Sequence, residues 1–356
     1  MLKGTKPFFE FLRNRAVMST RTTIVVSPRE RFTSLPVSLR SLFATVPAET
    51  RVIVVEGGSP ESVRNELSAL KSQRDFDWIQ LDYMVIPNEA RNIGGRMAET
   101  EFIVFADNDI AYEAGWLEAL EANADAHGSD AVAPLIFIGP SDKNLIHHAG
   151  GKLEMIQKGG KKVLVERHRL MNRPFAEVEA ALAHEAPVEN EVCEFHCTFM
   201  TRDFFERLGG FDERLITREQ MDFALRIKEL GAKITFEKDS RVTYMAYEAF
   251  NPIDLPYHLF RWSDARALES IEVFEATWDI PLNRRAIRYN WIEQHRDRAW
   301  ASAYPKAKLI GRHAYRLLHA NKAEAELNAA AEALRPQSAP FIPVAPTRTA
   351  TQLFEA

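Results

Sequence analysis

The residues with the clearest chemical potential are Asp107, Asn108 and Asp109, which follow directly on the wholly apolar run Phe102-Ile103-Val104-Phe105-Ala106. A buried strand that empties into two carboxylates is costly unless a cation offsets their charge. Two acids one residue apart at a turn can share a hard divalent ion, Mn²⁺ or Mg²⁺, that also takes diphosphate oxygens. Taken alone, such a turn is more often a polar turn with a helix cap. Among the histidines, His147 and His148, ahead of Gly150-Gly151, and His196 are candidates for contact with an acceptor or a phosphate, although a lone histidine is more often structural. Cys193 and Cys197 bracket His196 but offer too few ligands for a closed zinc site.

The elements that must position these groups alternate short β-branched runs with helical patterns between Thr22 and Ile138, the signature of parallel strands joined by crossover helices. Strands are predicted at Thr22 to Ser27, Arg51 to Glu56, Ile79 to Ile86, Phe102 to Ala106 and Ala131 to Ile138. Helices are predicted at Ser34 to Thr45, Pro60 to Lys71, Asn88 to Ala98 and Gly115 to Ala126. Ligands of such sheets bind outside the carboxyl ends of the strands, where Glu56 and the Asp107 to Asp109 turn fall. Residues 141 to 191 read as an excursion with short strands and one helix near Phe175 to His184. A short helix at Asp203 to Leu208, another from Arg218 to Leu230, and strands at Ile234 to Phe236 and Arg241 to Met245 follow. Beyond Pro252 aromatic and basic residues interleave in helices at Leu255 to Trp278, Arg284 to Ala303 and Ala307 to Leu334. Pro336, Pro340, Pro343 and Pro346 mark residues 336 to 356 as a flexible tail.

A chain of 356 residues with 46% hydrophobic content can bury a substantial core, and a formal charge of −5 argues against nucleic acid as a partner. One pair of cysteines is no disulfide framework and fits a reducing cytoplasm. No apolar run approaches the roughly 20 residues of a spanning helix. In segment 1 to 20, Lys3, Lys6, Arg13 and Arg15 surround Phe8, Phe9, Phe11 and Leu12, so it either lies as an amphipathic helix at the inner face of a membrane or packs on its own domain.

Several segments read together resemble glycosyltransferase family 2. Thr23-Ile24-Val25-Val26-Ser27 is similar to its opening strand, and Val52 to Ser59 to its apolar strand followed by Asp-Asp-Gly-Ser. Ala90-Arg91-Asn92-Ile93-Gly94 is similar to its Ala-Arg-Asn-x-Gly helix start, and Phe105 to Asp109 to its Asp-x-Asp strand end. Phe199 to Glu213 resembles the acceptor-side segment, and Glu219 to Arg226 resembles Glu-Asp-x-Asp-Leu-x-x-Arg. The resemblance covers residues 22 to 246. It implies an α/β fold of the GT-A type, Rossmann-like with a mixed sheet flanked by helices, in residues 21 to 250. The donor half would span 21 to 140 and the acceptor half 141 to 250, with a C-terminal helical region at 251 to 335.

The implied activity is transfer, in the inverting sense, from a UDP- or GDP-linked sugar to a saccharide or lipid-linked glycan in surface polysaccharide assembly. Mn²⁺ or Mg²⁺ would stabilise the leaving diphosphate. By position, Ser27, Glu56, Arg91, Asp107 and Asn108 would contact the donor, Asp109 would be the principal metal ligand, and Asp107 would reach metal or ribose. The family's general base falls at Gln220, which cannot accept a proton; Glu219 is the nearest replacement, with Asp222 in support and Arg218 and His196 as accessory groups on the acceptor side. Tyr244 and Tyr247 stand near the family's late metal-binding histidine, leaving His258 as the next imidazole. A retaining relative with an amide after this Glu, and a non-catalytic binding protein, are the alternatives. A nucleotidyltransferase fits less well, because Ser27-Pro28-Arg29-Glu30-Arg31 replaces a glycine-rich phosphate loop.

Overall fold

The computed structural model describes residues 21–139, 144–184, 190–246, 250–303, 311, 314, 317–318, 321–336 and 338–355. The amphipathic segment 1 to 20 and Tyr247 lie outside them, as does much of the first half of the helix expected to begin at Ala307. Strands β1 (Thr22–Ser27), β2 (Arg51–Gly57), β3 (Asp77–Leu81) and β4 (Phe102–Asp107) form the parallel half of a nine-stranded sheet ordered β3-β2-β1-β4-β10-β6-β11-β5, with β7 on β6. The other half comprises β5 (Ile110–Tyr112), β6 (Ala131–Ile138), β7 (Leu145–His148), β10 (Cys197–Thr201) and β11 (Ile234–Tyr244).

Side-chain alternation explains the layers. Ile24, Val26, Val52, Val54, Val104 and Ala106 face one way, onto Leu35, Leu39 and Leu42 of α1 (Leu35–Thr45) and Trp116 and Leu120 of α4 (Trp116–His127). Val25, Ile103 and Phe105 face the other way, onto Phe204, Phe205, Phe211 and Phe223. Burying each such side chain stabilises the fold by about 1.5–3 kcal/mol. Between α2 (Glu61–Gln73) and β4, helix α3 (Pro87–Met97) lies unusually close to the sheet. A Cβ on Gly94 would stand 2.3 Å from Val25 Cγ1, so glycine in this motif serves close helix-to-strand approach.

Several elements differ from expectation, each for a local reason. Strand β3 ends at Leu81 instead of Ile86, because its partner β2 ends at Gly57, paired with Leu81. The two late strands are one, β11, whose register breaks between Glu237 and Arg241. The excursion holds a hairpin, β8 (Gly151–Lys158) and β9 (Lys161–His168), turned by Gly159 and Gly160 at φ 59° and 75°. After α5 (Glu179–Ala183), α6 (Arg202–Leu208) and α7 (Glu219–Leu230), the helix expected from Leu255 to Trp278 is two, α8 (Leu255–Arg261) and α9 (Asp264–Trp278). Ser263 separates them by capping α9, its hydroxyl accepting from Arg266 N. The next helix carries a π-turn at Arg288–Ile292 between α10 (Arg284–Ile287) and α11 (Glu293–Ala303).

The proline-rich end is not a free tail over its described residues. After α12 (Asn321–Leu334), Phe341 exchanges backbone and side-chain hydrogen bonds with Glu213, and Arg226 donates to Val344 O. Thr347 binds Glu229, and α13 (Ala350–Glu355) buries Ala350 and Leu353 among Leu215, Met221, Leu225 and Trp278. Val344, Thr347 and Arg348 of this run hydrogen-bond α7.

Candidate active site

Ser27 and Asp107 pair in register at the carboxyl ends of β1 and β4, so the Arg29-Glu30-Arg31 loop passes over the Asp107 to Asp109 turn. Asn108 pins that loop: its Oδ1 accepts from Arg29 N at 3.1 Å and its Nδ2 donates to Arg31 O at 3.1 Å. The turn's own acids are fully buried. Asp107 Oδ1 accepts from Arg91 Nη2 at 2.9 Å and Oδ2 from Arg29 Nη1 at 2.9 Å, with His196 Nδ1 3.1 Å from Oδ2. The His196 approach is close but poorly aligned, and Nδ1 makes no formed hydrogen bond. Burial alone would raise the pKa of Asp107, but Arg29, His196 and Arg91 outweigh it and hold the carboxyl below its ordinary range.

Asp109 is less well compensated. Arg31 Nη2 lies 3.4 Å from Oδ2 and is shared with Met245 O, while Oδ1 has no partner. Burial, opposed by Arg31 and reinforced by Asp107, pushes the Asp109 pKa up. Ligand atoms of Asp107, Asp109 and His196 all lie within 4.8 Å of one another, and a second set, His147, Glu194 and His196, meets the same limit. Two carboxylates and an imidazole suit Mn²⁺, and Asp109 Oδ1 is the carboxylate oxygen of the turn without a hydrogen-bond partner, although neither acid lines the cavity beside it. Both oxygens of Asp107 are already engaged by guanidinium groups.

Next to the turn opens a cavity of about 300 Å³, lined by Arg29, His147, Glu194, His196, Arg218 and Glu219 among others. Glu219 begins α7 and accepts from Arg261 Nη2 at 3.3 Å; Arg261 also binds Glu30 at 3.1 Å. Gln220 donates to Glu166 at 3.4 Å. Arg218, on the cavity wall, caps α7 at φ 67°, a left-handed conformation unusual for a non-glycine residue.

Several expected residues do not line the cavity. Asp222 is buried away from the cavity, where it accepts from Arg226 Nε and Trp278 Nε1, each at 2.8 Å, because the helix turns its side chain toward α9. His258 is buried in α8, 3.3 Å from His295 O, and belongs to no ligand cluster among the described residues. Glu56 turns to Trp78 Nε1 and Ser59 N, at 3.2 and 3.3 Å, and does not line the cavity. Arg91 is wholly buried, held by Asn88 and Asp107 and lying over the Phe195 ring at 4.2 Å. Ser27 Oγ reaches only Ala106 O, at 3.5 Å.

Sequence reasoning missed Arg29, Glu30, Arg31, Glu194, His168 and Arg261. Alternating charge directly after the first strand was the available signal for the first three, since that is where ligands of such sheets bind. Tyr244 stacks on His196 with ring centres 3.9 Å apart, which closes that side of the site. Cys193 and Cys197 are free and buried, and burial raises both thiol pKa values.

The family model described as glycosyl transferase family 2 matches residues 23–209. A pre-mycofactocin glycosyltransferase of Mycobacterium tuberculosis is 26% identical over 194 residues, which cover 54% of this chain and 37% of that protein. A putative polypeptide N-acetylgalactosaminyltransferase 13 of Drosophila melanogaster is 22% identical over 309 residues, 80% of this chain and 52% of that one. The chain thus spans about a third to a half of these relatives. In fold it is similar to GalNAc-T7, solved with UDP, GalNAc and Mn²⁺, at a TM-score of 0.50 and 15% identity over 84% of this chain and 57% of that one.

Proposed function

The chain belongs to glycosyl transferase family 2 and has the GT-A fold, and from this we propose that it moves a sugar from a UDP- or GDP-linked donor to a hydroxyl of a saccharide or lipid-linked glycan. The reading includes divalent-metal dependence, inversion at the anomeric carbon, a role in surface polysaccharide or glycan assembly, and a cytoplasmic place with peripheral membrane contact. The observation that carries it is the buried acid pair at the end of β4, one oxygen of which has no partner, beside a cavity edged with arginines. When bound, Mn²⁺ or Mg²⁺ supplies the positive charge that stabilises a departing diphosphate.

Asp109 would hold that ion, with Asp107 behind it. Arg91 keeps Asp107 ionised and oriented from within the core, while Arg29, at the cavity edge, offers a guanidinium fork for phosphate oxygens. Asn108 would serve the donor side by holding the Arg29 to Arg31 loop in place. On the other side Glu219 is the carboxylate that α7 presents to the cavity, and it is the proposed proton acceptor for the acceptor hydroxyl.

Calorimetry with UDP and with GDP, with and without Mn²⁺, tests the donor side. Metal-dependent binding of one nucleotide is expected, and Asp109→Asn should weaken it by about 2 kcal/mol or more. No binding to the wild type, or binding indifferent to that substitution, would count against the reading. The Glu219–Arg261 ion pair and the amide of Gln220 beside it favour a second reading, retention. Proton NMR of the first-formed product decides: a product with the donor's anomeric configuration replaces inversion by retention.

A further inference from the structure

We propose that His147, Glu194 and His196 form a second metal site, separate from the one assigned to Asp109 and suited to a transition ion, Zn²⁺ above all. His147 comes from β7, while Glu194 and His196 come from the segment that enters β10, and all three line the cavity. Their ligand atoms lie within 4.8 Å of one another. Atoms bound to one ion at about 2.1 Å stand at most about 4.2 Å apart, so small side-chain rotations close the set.

Three further features point to an ion. His147 Nδ1 is buried with no hydrogen-bond partner, an arrangement that costs about 1–3 kcal/mol if nothing occupies it. The negative charge of Asp107 Oδ2, 3.1 Å from His196 Nδ1, favours the proton on that nitrogen and leaves the lone pair on Nε2. Ligating histidines commonly keep a carboxylate at the nitrogen that does not bind metal. Glu194 also lies 3.3 Å from His168 Nε2, the nitrogen that hydrogen-bonds Glu166 at 3.0 Å.

The donor set decides the class of ion. Two imidazoles and one carboxylate select Zn²⁺ and its neighbours over Mg²⁺ or Ca²⁺, and three protein ligands leave a fourth position toward the cavity. A neutral His196 has one lone pair and serves one ion, so Asp109 Oδ1 remains for the other. Glu219 and Gln220 line the same cavity, and an acceptor hydroxyl bound at the fourth position would become more acidic there.

The test uses tag-free, full-length protein stripped with chelator, dialysed against Zn²⁺ and analysed by elemental mass spectrometry, with Co²⁺ substitution to read the visible ligand-field bands. The wild type should hold zinc and give an intense Co²⁺ spectrum, and Asp109→Asn should retain both. His147→Gln and Glu194→Gln should each weaken zinc by about tenfold or more, while Mn²⁺-dependent UDP or GDP binding in the same samples persists. That nucleotide signal separates failure of this site from failure of the donor reading, and the two substitutions lie on different segments, so misfolding of one leaves the other to decide. A wild type that takes up no zinc, zinc kept by both variants, or zinc lost with Asp109→Asn would overturn the proposal.

Discussion

Asp222 shares the first turn of α7 with Glu219, yet its carboxylate is held in the core and does not line the cavity. Its carboxylate ties Arg226 on its own helix to Trp278 on α9, and burial raises its pKa against the pull of both. Removing one partner of a buried ion pair leaves the other uncompensated, so Asp222→Ala should lower stability by about 3 kcal/mol, read from the urea midpoint. The KM for donor and the turnover of the folded fraction should stay near wild type. A large loss of kcat in a variant of unchanged stability would instead return Asp222 to the chemistry. Sequence spacing alone could not separate Glu219 from Asp222, since both fall in the first turn of one helix. What separates them is which neighbour each side chain meets, Arg261 at the cavity or Trp278 in the core. The same limit hid Arg29: it is 78 residues from Asp107 in the chain, and no local pattern records such a pairing.

Elements with one strong internal pattern were legible. The apolar run Phe102 to Ala106 announced β4, and the turn that follows it announced the acid pair, because burial on both faces leaves a strand no room for polar residues until it ends. Elements whose form depends on a partner were not. β3 stops where β2 stops, β11 runs through its bulge because β6 continues beside it, and α8 yields to α9 where Ser263 finds an amide to cap. The approach of α3 to β1 is testable at this scale. Gly94→Ala would place a methyl 2.3 Å from Val25 Cγ1, and displacing the helix should cost about 1–3 kcal/mol. Because Arg91 rides on that helix, donor affinity should fall with it. Full stability of the alanine variant would show that α3 can shift freely.

Across the whole molecule, residues 338–355 join elements far apart in the chain, running from Glu213 along α7 to β8. The prolines there suggested freedom, yet Phe341 among them and Ala350 and Leu353 after them carry contacts to the body. A chain ending at residue 336 would lose the burial of Leu353 and the bonds to Glu213, Arg226 and Glu229. It should melt several degrees lower, at a cost of at least about 2 kcal/mol, as differential scanning calorimetry would record. An unchanged melting temperature would mean that these contacts add nothing to the body.

The thiols of Cys193 and Cys197 lie on either side of His196, sheltered and kept protonated by their surroundings. Alkylating reagents can therefore reach them only in moments when the strand entrance opens, and the pace of their modification becomes a clock for that breathing. A ligand that fastens the neighbouring groups would slow the clock without touching either sulfur.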